Sequence, residues 1–263
     1  MPEPAQLASV SRVLLDIDDT LSTHGKLTAA AYAALWRLHE AGLTVAVVTG
    51  RPAGWCDHIA RFWPVNAVIG ENGAFYFYHD GQKLRQRFVY GPEDRRKFRE
   101  RLEVVKTRIL AEVPGCALAS DQLYRESDLA IDFCEDVPPL DRSAVLRIKA
   151  LFEDAGARAK ISSIHVNGWY GDFDKLSTVS LWAAERLGGD LERERATVVF
   201  CGDSPNDEPM FRYFPLSFGM ANVRPFLPWI THAPAFICEQ ECGAGFCEVV
   251  DLLLKYRPLL AGT

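Results

Sequence analysis

The stretch Val13-Leu14-Leu15-Asp16-Ile17-Asp18-Asp19-Thr20-Leu21 decides how the rest of the chain is read. Val13 to Ile17 is a short apolar run that turns acidic at its end, as a buried strand does where it emerges into a loop. Asp16, Asp18 and Asp19 place three acids in four positions, and they repel one another unless a cation lies among them. A divalent metal resolves the conflict. Hard oxygen ligands suit Mg2+, and that ion neutralises phosphoryl oxygens that would otherwise repel a carboxylate nucleophile. The same residues also read as a solvated acidic loop capping the next helix, because strand-terminal Asp is a common turn former.

Working outward, Thr28 to Ala41 has apolar residues at helical spacing and Gly42 supplies a stop. Leu43 to Val48 is a second apolar, β-branched run, ending in Thr49-Gly50-Arg51. Strand, helix, strand implies a parallel sheet covered on both faces, with a ligand crevice at the carboxyl ends of its strands. Arg61 to Val68 leads into a further strand, and Glu71-Asn72-Gly73 turns the chain into the aromatic run Ala74 to Tyr78. From His79 the character changes. Lys83 to Arg108 holds ten Lys or Arg against four Asp or Glu, while Glu93 to Leu110 keeps helical apolar spacing. A strand at Leu129 to Phe133, a helix at Asp141 to Ala155 and a strand at Lys160 to Val166 complete that block. After Gly171 the first pattern returns: a helix from Leu176 to Leu187, a strand from Ala196 to Cys201, then Gly202-Asp203-Ser204-Pro205-Asn206-Asp207. A strand at Leu216 to Gly219 and a helix at Cys247 to Tyr256 follow. The expected fold class is α/β: a doubly wound parallel core from residues 1–78 and 171–263, with an inserted α+β cap, residues 79–170, over the strand ends.

Composition narrows the partners. The chain has 263 residues, a formal charge of -6 and 48% hydrophobic residues, so a sizeable core is affordable and disorder is not expected. The acidic balance offers no general attraction to nucleic acid or anionic membrane, so an anionic substrate needs a local site. Met1 to Ser11 lacks a secretory pattern, and seven scattered cysteines fit reduced thiols, so a soluble cytoplasmic protein is expected, its oligomeric state open. His232, Cys238, Cys242 and Cys247 lack the paired spacing of a strong zinc signal.

Three further segments supply what an aspartyl-phosphate mechanism needs. Thr49 offers a hydroxyl to phosphate. Lys175, in Asp172-Phe173-Asp174-Lys175, opens a helix and can hold the charge of Asp16 and a phosphoryl group. Asp203 is a candidate metal ligand, with Asn206 or Asp207 in support. Singly, each has a plain alternative as a turn residue, a surface charge or an ordinary loop.

Together the segments LLDIDDTL, VVTGR, DFDK and GDSPND resemble the signature set of the haloacid-dehalogenase-like hydrolase superfamily, and the resemblance spans the core. It implies a Rossmann-like core with Asp16 as the phosphorylated nucleophile and Asp18 as the general acid that later activates water. It also implies Mg2+ on the Asp16 carboxylate, the Asp18 carbonyl and Asp203, with Asp207 beside them, and Thr49 and Lys175 on the phosphate. Thr20, Gly50, Arg51, Asn72 and Asn206 are the expected substrate-side groups in and around these segments. A cap between the second and third segments is similar to the type IIB subgroup, which includes Cof-like, sucrose-phosphate and mannosyl-3-phosphoglycerate phosphatases. Within it, Tyr124-Arg125-Glu126-Ser127-Asp128 is loosely similar to an Arg-Glu segment of the last of these. Arg125 and Glu126 are therefore candidates for substrate contact, or else a surface ion pair. His165, Asn167 and Trp169 lie just before Lys175 and are positional candidates.

The function expected on this basis is Mg2+-dependent hydrolysis of a small phosphorylated metabolite, a sugar phosphate or phosphoglycerate conjugate. A phosphomutase shares the covalent intermediate. A receiver-type phospho-acceptor needs neither Asp18 nor a cap of this size, and a binding protein that keeps the site but has lost turnover is opposed by intact Asp16, Asp18, Lys175 and Asp203.

Overall fold

The structure is a computed structural model and describes residues 2–257. In chain order its elements are α1 (Pro4–Ala8), β1 (Arg12–Leu15), α2 (Ala29–Glu40), β2 (Thr44–Val48), α3 (Ala53–Phe62), β3 (Ala67–Gly70), β4 (Phe75–His79) and β5 (Leu84–Phe88). There follow α4 (Pro92–Glu112), β6 (Ala117–Leu118), β7 (Asp128–Asp132), α5 (Arg142–Asp154), β8 (Arg158–Ile161) and β9 (His165–Trp169). The chain ends with α6 (Lys175–Trp182), α7 (Leu191–Glu194), β10 (Val198–Gly202), α8 (Glu208–Tyr213), β11 (Leu216–Gly219), β12 (Phe236–Ile237) and α9 (Cys242–Tyr256).

The core sheet runs β12-β11-β10-β1-β2-β3-β4-β5, parallel from β12 to β3 and antiparallel over its last two strands. Its central parallel strands are apolar on both sides because both sides are covered. Val13 and Leu15 point into a cluster with α2, α3 and α9, whereas Leu14, one residue out of phase, packs with α6 and α8 on the other face. Val45 and Val47 against Ala46 and Val48 repeat the alternation in β2, and Val199 and Cys201 against Val198 and Phe200 in β10. Each such buried side chain contributes about 1.5–3 kcal/mol relative to exposure, which fixes the strand register.

The second sheet, β6-β7-β9-β8, is wholly antiparallel. Its apolar face packs on α4 and α5 through Leu102, Val105, Ile109, Ile148 and Phe152. The basic residues of α4 lie on its other side, several of them in exposed ion pairs such as Lys97–Glu93 and Arg108–Glu112.

Four expectations change. Residues 84–88 pair with β4 in the core sheet, so the excursion begins after Phe88 rather than at His79. That edge strand is mostly exposed, and its two arginines conceal its place in the core. The single strand expected at Lys160 to Val166 is a hairpin, β8 and β9, turned at Ser162, whose hydroxyl bonds both the N–H and the C=O of His165. The helix expected over Leu176 to Leu187 tightens no further than Trp182 and continues as a wider π turn. The last helix starts at Cys242, five residues before the expected Cys247. Of the expected core, Met1 and residues 258–263 lie outside the described residues.

Candidate active site

Four adjacent parallel strands, β10, β1, β2 and β3, end side by side, and the residues that follow them are Asp203, Asp16, Thr49 and Glu71-Asn72. Neighbouring strands lie about 4.8 Å apart, so four loops present their side chains to one small volume. The register is continued past the strands by Asp16 N–H to the Cys201 carbonyl (3.0 Å) and Thr49 N–H to the Ile69 carbonyl (2.8 Å).

Lys175 enters from the side. Asp174 caps α6 by accepting the Ser177 N–H at 2.7 Å, which makes Lys175 the first helical residue and aims its side chain at the strand ends. Its Nζ donates to Asp16 Oδ1 at 2.9 Å and to Asp207 Oδ1 at 2.6 Å. The other Asp207 oxygen accepts the N–H groups of Asp203 and Ser204, at 3.0 and 3.3 Å. Asp207 is thus a holder of Lys175 and of the β10 loop. No hydrogen bond among the described residues reaches Asp16 Oδ2, the oxygen left open for chemistry.

Asp203 is buried, accepting from Thr20 Oγ1 at 3.2 Å and from Asn222 Nδ2 at 3.1 Å. Thr20 therefore orients this carboxylate. Oxygens of Asp16, Asp203 and Asp207 lie within 4.8 Å of one another, the one cluster of three or more metal-capable side chains among the described residues. The quartet His232, Cys238, Cys242 and Cys247 does not converge. Burial pushes the Asp16 carboxyl up to about 8, Lys175 pulling it down and Asp207 and Asp18 pushing it further up. Burial and the charge of Asp207 likewise hold Asp203 well above the usual carboxylate range. Lys175 stays firmly protonated, since Asp16 and Asp207 outweigh the effect of its burial. Three buried acids facing one ammonium lack a second positive charge, and a hard cation such as Mg2+ fits that oxygen set.

Thr49 Oγ1 accepts the Arg51 N–H at 3.0 Å, which leaves its hydroxyl proton to point elsewhere. Asn206 Nδ2 donates to Asn72 Oδ1 at 3.4 Å, while Asn72 Nδ2 is buried with no partner among the described residues, a donor that a ligand oxygen can use. Asn72 also lies against Gly50, where an added Cβ would stand 3.3 Å from Nδ2. Arg51 grips Asp18 with two nitrogens, Nε at 3.0 and 2.9 Å from its oxygens and Nη2 at 2.7 Å from Oδ1.

In the cap, Arg125 and Glu126 are engaged within the protein. Arg125 forks onto Asp121 (2.9 and 3.0 Å), reaches Asp128 (3.0 Å) and donates to the Gly50 carbonyl at 2.8 Å. Glu126 takes Arg95 and Arg99 at 2.9 and 3.3 Å. Asn167 donates to Asp128 at 2.9 Å, and Trp169 to the Phe173 carbonyl at 3.2 Å.

Several participants escape a reading of sequence alone. Glu71, fully buried, accepts N–H groups from Ala53, Glu126, Ser127 and Asp128 and so ties the cap to the core. Asn222 bridges Asp203 and the Asp19 carbonyl. Glu135, on the loop after β7, meets Arg51 Nη2 at 2.7 Å. A signal for Glu135 exists in Cys134-Glu135-Asp136, which repeats the pattern of acids after a buried strand seen at Asp16.

Residues 13–110 match the profile of the haloacid dehalogenase-like hydrolases, which takes in the first two segments of the site. Over that stretch the chain is similar to the haloacid dehalogenase-like hydrolases. Solved structures share the fold of this chain over nearly its whole length. A Thermoplasma acidophilum protein, 0175, is 20% identical over 93% of this chain and 98% of its own, with a TM-score of 0.69. A phosphatase of the superfamily from Bacteroides thetaiotaomicron, BT1666, is 20% identical over 96% and 97%, at 0.62. The sucrose-phosphatase of Synechocystis, solved with sucrose and phosphate, is 13% identical over 92% and 97%, at 0.63. No curated protein matches the sequence.

Proposed function

We propose that this protein is a hydrolase, an Mg2+-dependent phosphatase that removes phosphate from a small phosphorylated metabolite of the sugar-phosphate kind through a phosphorylated Asp16. The observation that carries the reading is the pair of Asp16 oxygens, one pinned by Lys175 and the other open, with Asp18 two residues along the same strand end. Asp16 Oδ2 attacks phosphorus, the bond to the leaving oxygen breaks, and Asp18 gives that oxygen its proton. Water then attacks the aspartyl phosphate, yields a proton to Asp18, and frees phosphate and the Asp16 carboxylate. Lys175, Thr49 and Asn72 surround the transferring group with donors, where preorganised hydrogen bonds act most strongly. Asp16, Asp203 and the Asp18 carbonyl would hold Mg2+, which supplies charge neutralisation for the phosphoryl oxygens. The sucrose-phosphatase and the Bacteroides phosphatase among the fold relatives support the same class.

The test is phosphate release from a panel of sugar phosphates, phosphoglycerate conjugates and nucleotides, with Mg2+ or with EDTA. Release that needs metal and disappears in Asp16→Asn is the expected result. Release that survives Asp16→Asn would overturn the covalent mechanism.

A further inference from the structure

Arg51 is the point where the cap meets the reacting carboxylates. It comes from the core, is nearly inaccessible at 5%, and has Trp55 over its guanidinium at 4.4 Å. Its Nε and Nη2 hold both oxygens of Asp18, while the remaining directions of the fork are taken by two cap acids. Nη2 also donates to Glu135 Oε1 at 2.7 Å, and Nη1 to Asp121 Oδ2 at 3.4 Å. A guanidinium is planar and rigid, so fixing one edge fixes what the other edge presents.

Glu135 is itself held in place. Asp132, at the end of β7, accepts the N–H groups of Cys134 and Glu135 on one oxygen, at 2.9 and 2.8 Å, and that of Asp136 on the other at 2.8 Å. The second Glu135 oxygen lies 2.9 Å from Nε2 of buried His165, at the distance but not the angle of a hydrogen bond. Two strands of the cap thus hold Glu135, β7 through its backbone and β9 beside its carboxylate, and that carboxylate touches the core at Arg51.

We infer that Glu135 is a positioning residue: through Arg51 it orients the Asp18 carboxylate, so that seating the cap over the core places the proton donor for the leaving group. The inference rests on the phosphatase reading above. It concerns the step in which the bond to the leaving oxygen breaks, and so predicts an effect graded by leaving group. A poor leaving group, the alkoxide of a sugar phosphate, needs the proton from Asp18. A good one, the 4-nitrophenolate of 4-nitrophenyl phosphate, departs without it.

The experiment compares kcat/KM, which reports steps up to the first irreversible one, for glucose 6-phosphate and 4-nitrophenyl phosphate in wild type, Glu135→Gln and Glu135→Ala. General acid catalysis contributes about 10²–10⁴-fold, and partial misplacement of the donor is expected to remove about tenfold on the sugar phosphate. On 4-nitrophenyl phosphate both variants should stay within about twofold of wild type, because that step does not draw on the donor. An equal fall on both substrates, or none on either, overturns the positioning role while the phosphatase reading stands. Wild type that releases phosphate from neither substrate nor the wider panel overturns both. Thermal melting of the variants separates misfolding from positioning, since a misfolded fraction lowers both rates together.

Discussion

At the scale of single residues, Lys175 carries the largest electrostatic burden. It is buried at 2% exposure between Asp16 and Asp207, and the second of these has no other cation within reach among its hydrogen-bond partners. Removing one member of a buried ion pair strands the other charge, which costs about 3–5 kcal/mol. Lys175→Met is therefore expected to lower the melting temperature and to cut phosphate release by about 10²–10³-fold, the magnitude attached to a preorganised donor at a developing charge. Steady-state rates and a melting curve check both, and near-wild-type turnover would show that Lys175 does not face the reacting group. Most of this centre was legible in the sequence. Asp16, Lys175 and Asp203 are acids and a base at element ends, where the fold class itself dictates a crevice. Thr20 was legible as a polar residue of the site but not in its direction, since its hydroxyl points to Asp203. Direction depends on a neighbour 183 residues away, and no local spacing encodes it.

At the scale of elements, the turn Glu71-Asn72-Gly73 does more than join β3 to β4. All three residues have positive φ, 44°, 54° and 107°, and at Gly73 a Cβ would fall 2.1 Å from the Asp174 carbonyl oxygen. The turn thereby presses against the loop that aims Lys175. Glu71, in the same turn, accepts three consecutive cap N–H groups, those of Glu126, Ser127 and Asp128, at 2.8, 2.6 and 3.2 Å. A hydrogen bond contributes about 0.5–1.5 kcal/mol net and leaving a buried donor unpaired costs about 1–3 kcal/mol, and a glutamine turns an N–H₂ group towards donors where an oxygen stood. Glu71→Gln should speed amide hydrogen exchange at residues 126–128 by at least about tenfold, with far smaller changes in β1 and β2. Unchanged protection at 126–128 would mean that Arg125, through the Gly50 carbonyl, suffices to dock the cap. In sequence the same three residues read as a tight turn, because turn chemistry is local and docking partners are not. The hairpin β8–β9 and the edge strand β5 escaped for a related reason: the apolar run Lys160 to Val166 hides its reversal at two serines, and β5 is recognised only by the partner it pairs with.

Across the whole molecule, charge balance decides what the closed site can tolerate without a metal. Arg51 is answered by Asp18, Glu135 and Asp121, Arg125 by Asp121 and Asp128, and Lys175 by Asp16 and Asp207. Asp203 is left with hydroxyl and amide donors alone, fully buried beside two other acids. The core and the cap shut around this surplus of negative charge, so its repulsion is a charge on the stability of the assembly as a whole. Mg2+ binding only to the folded form adds about 2.7 kcal/mol when present at a hundredfold excess over its dissociation constant. For a chain of this size that corresponds to a rise in melting temperature of about 5–10 °C. NaCl at equal ionic strength should give much less, because buried charges are poorly screened. Asp203→Asn should melt higher than the metal-free wild type, having lost the repulsion, and should gain almost nothing from Mg2+. An Asp203→Asn protein that melts lower than metal-free wild type and still responds fully to Mg2+ would place the cation elsewhere, and would make Asp203 a structural acceptor for Thr20 and Asn222.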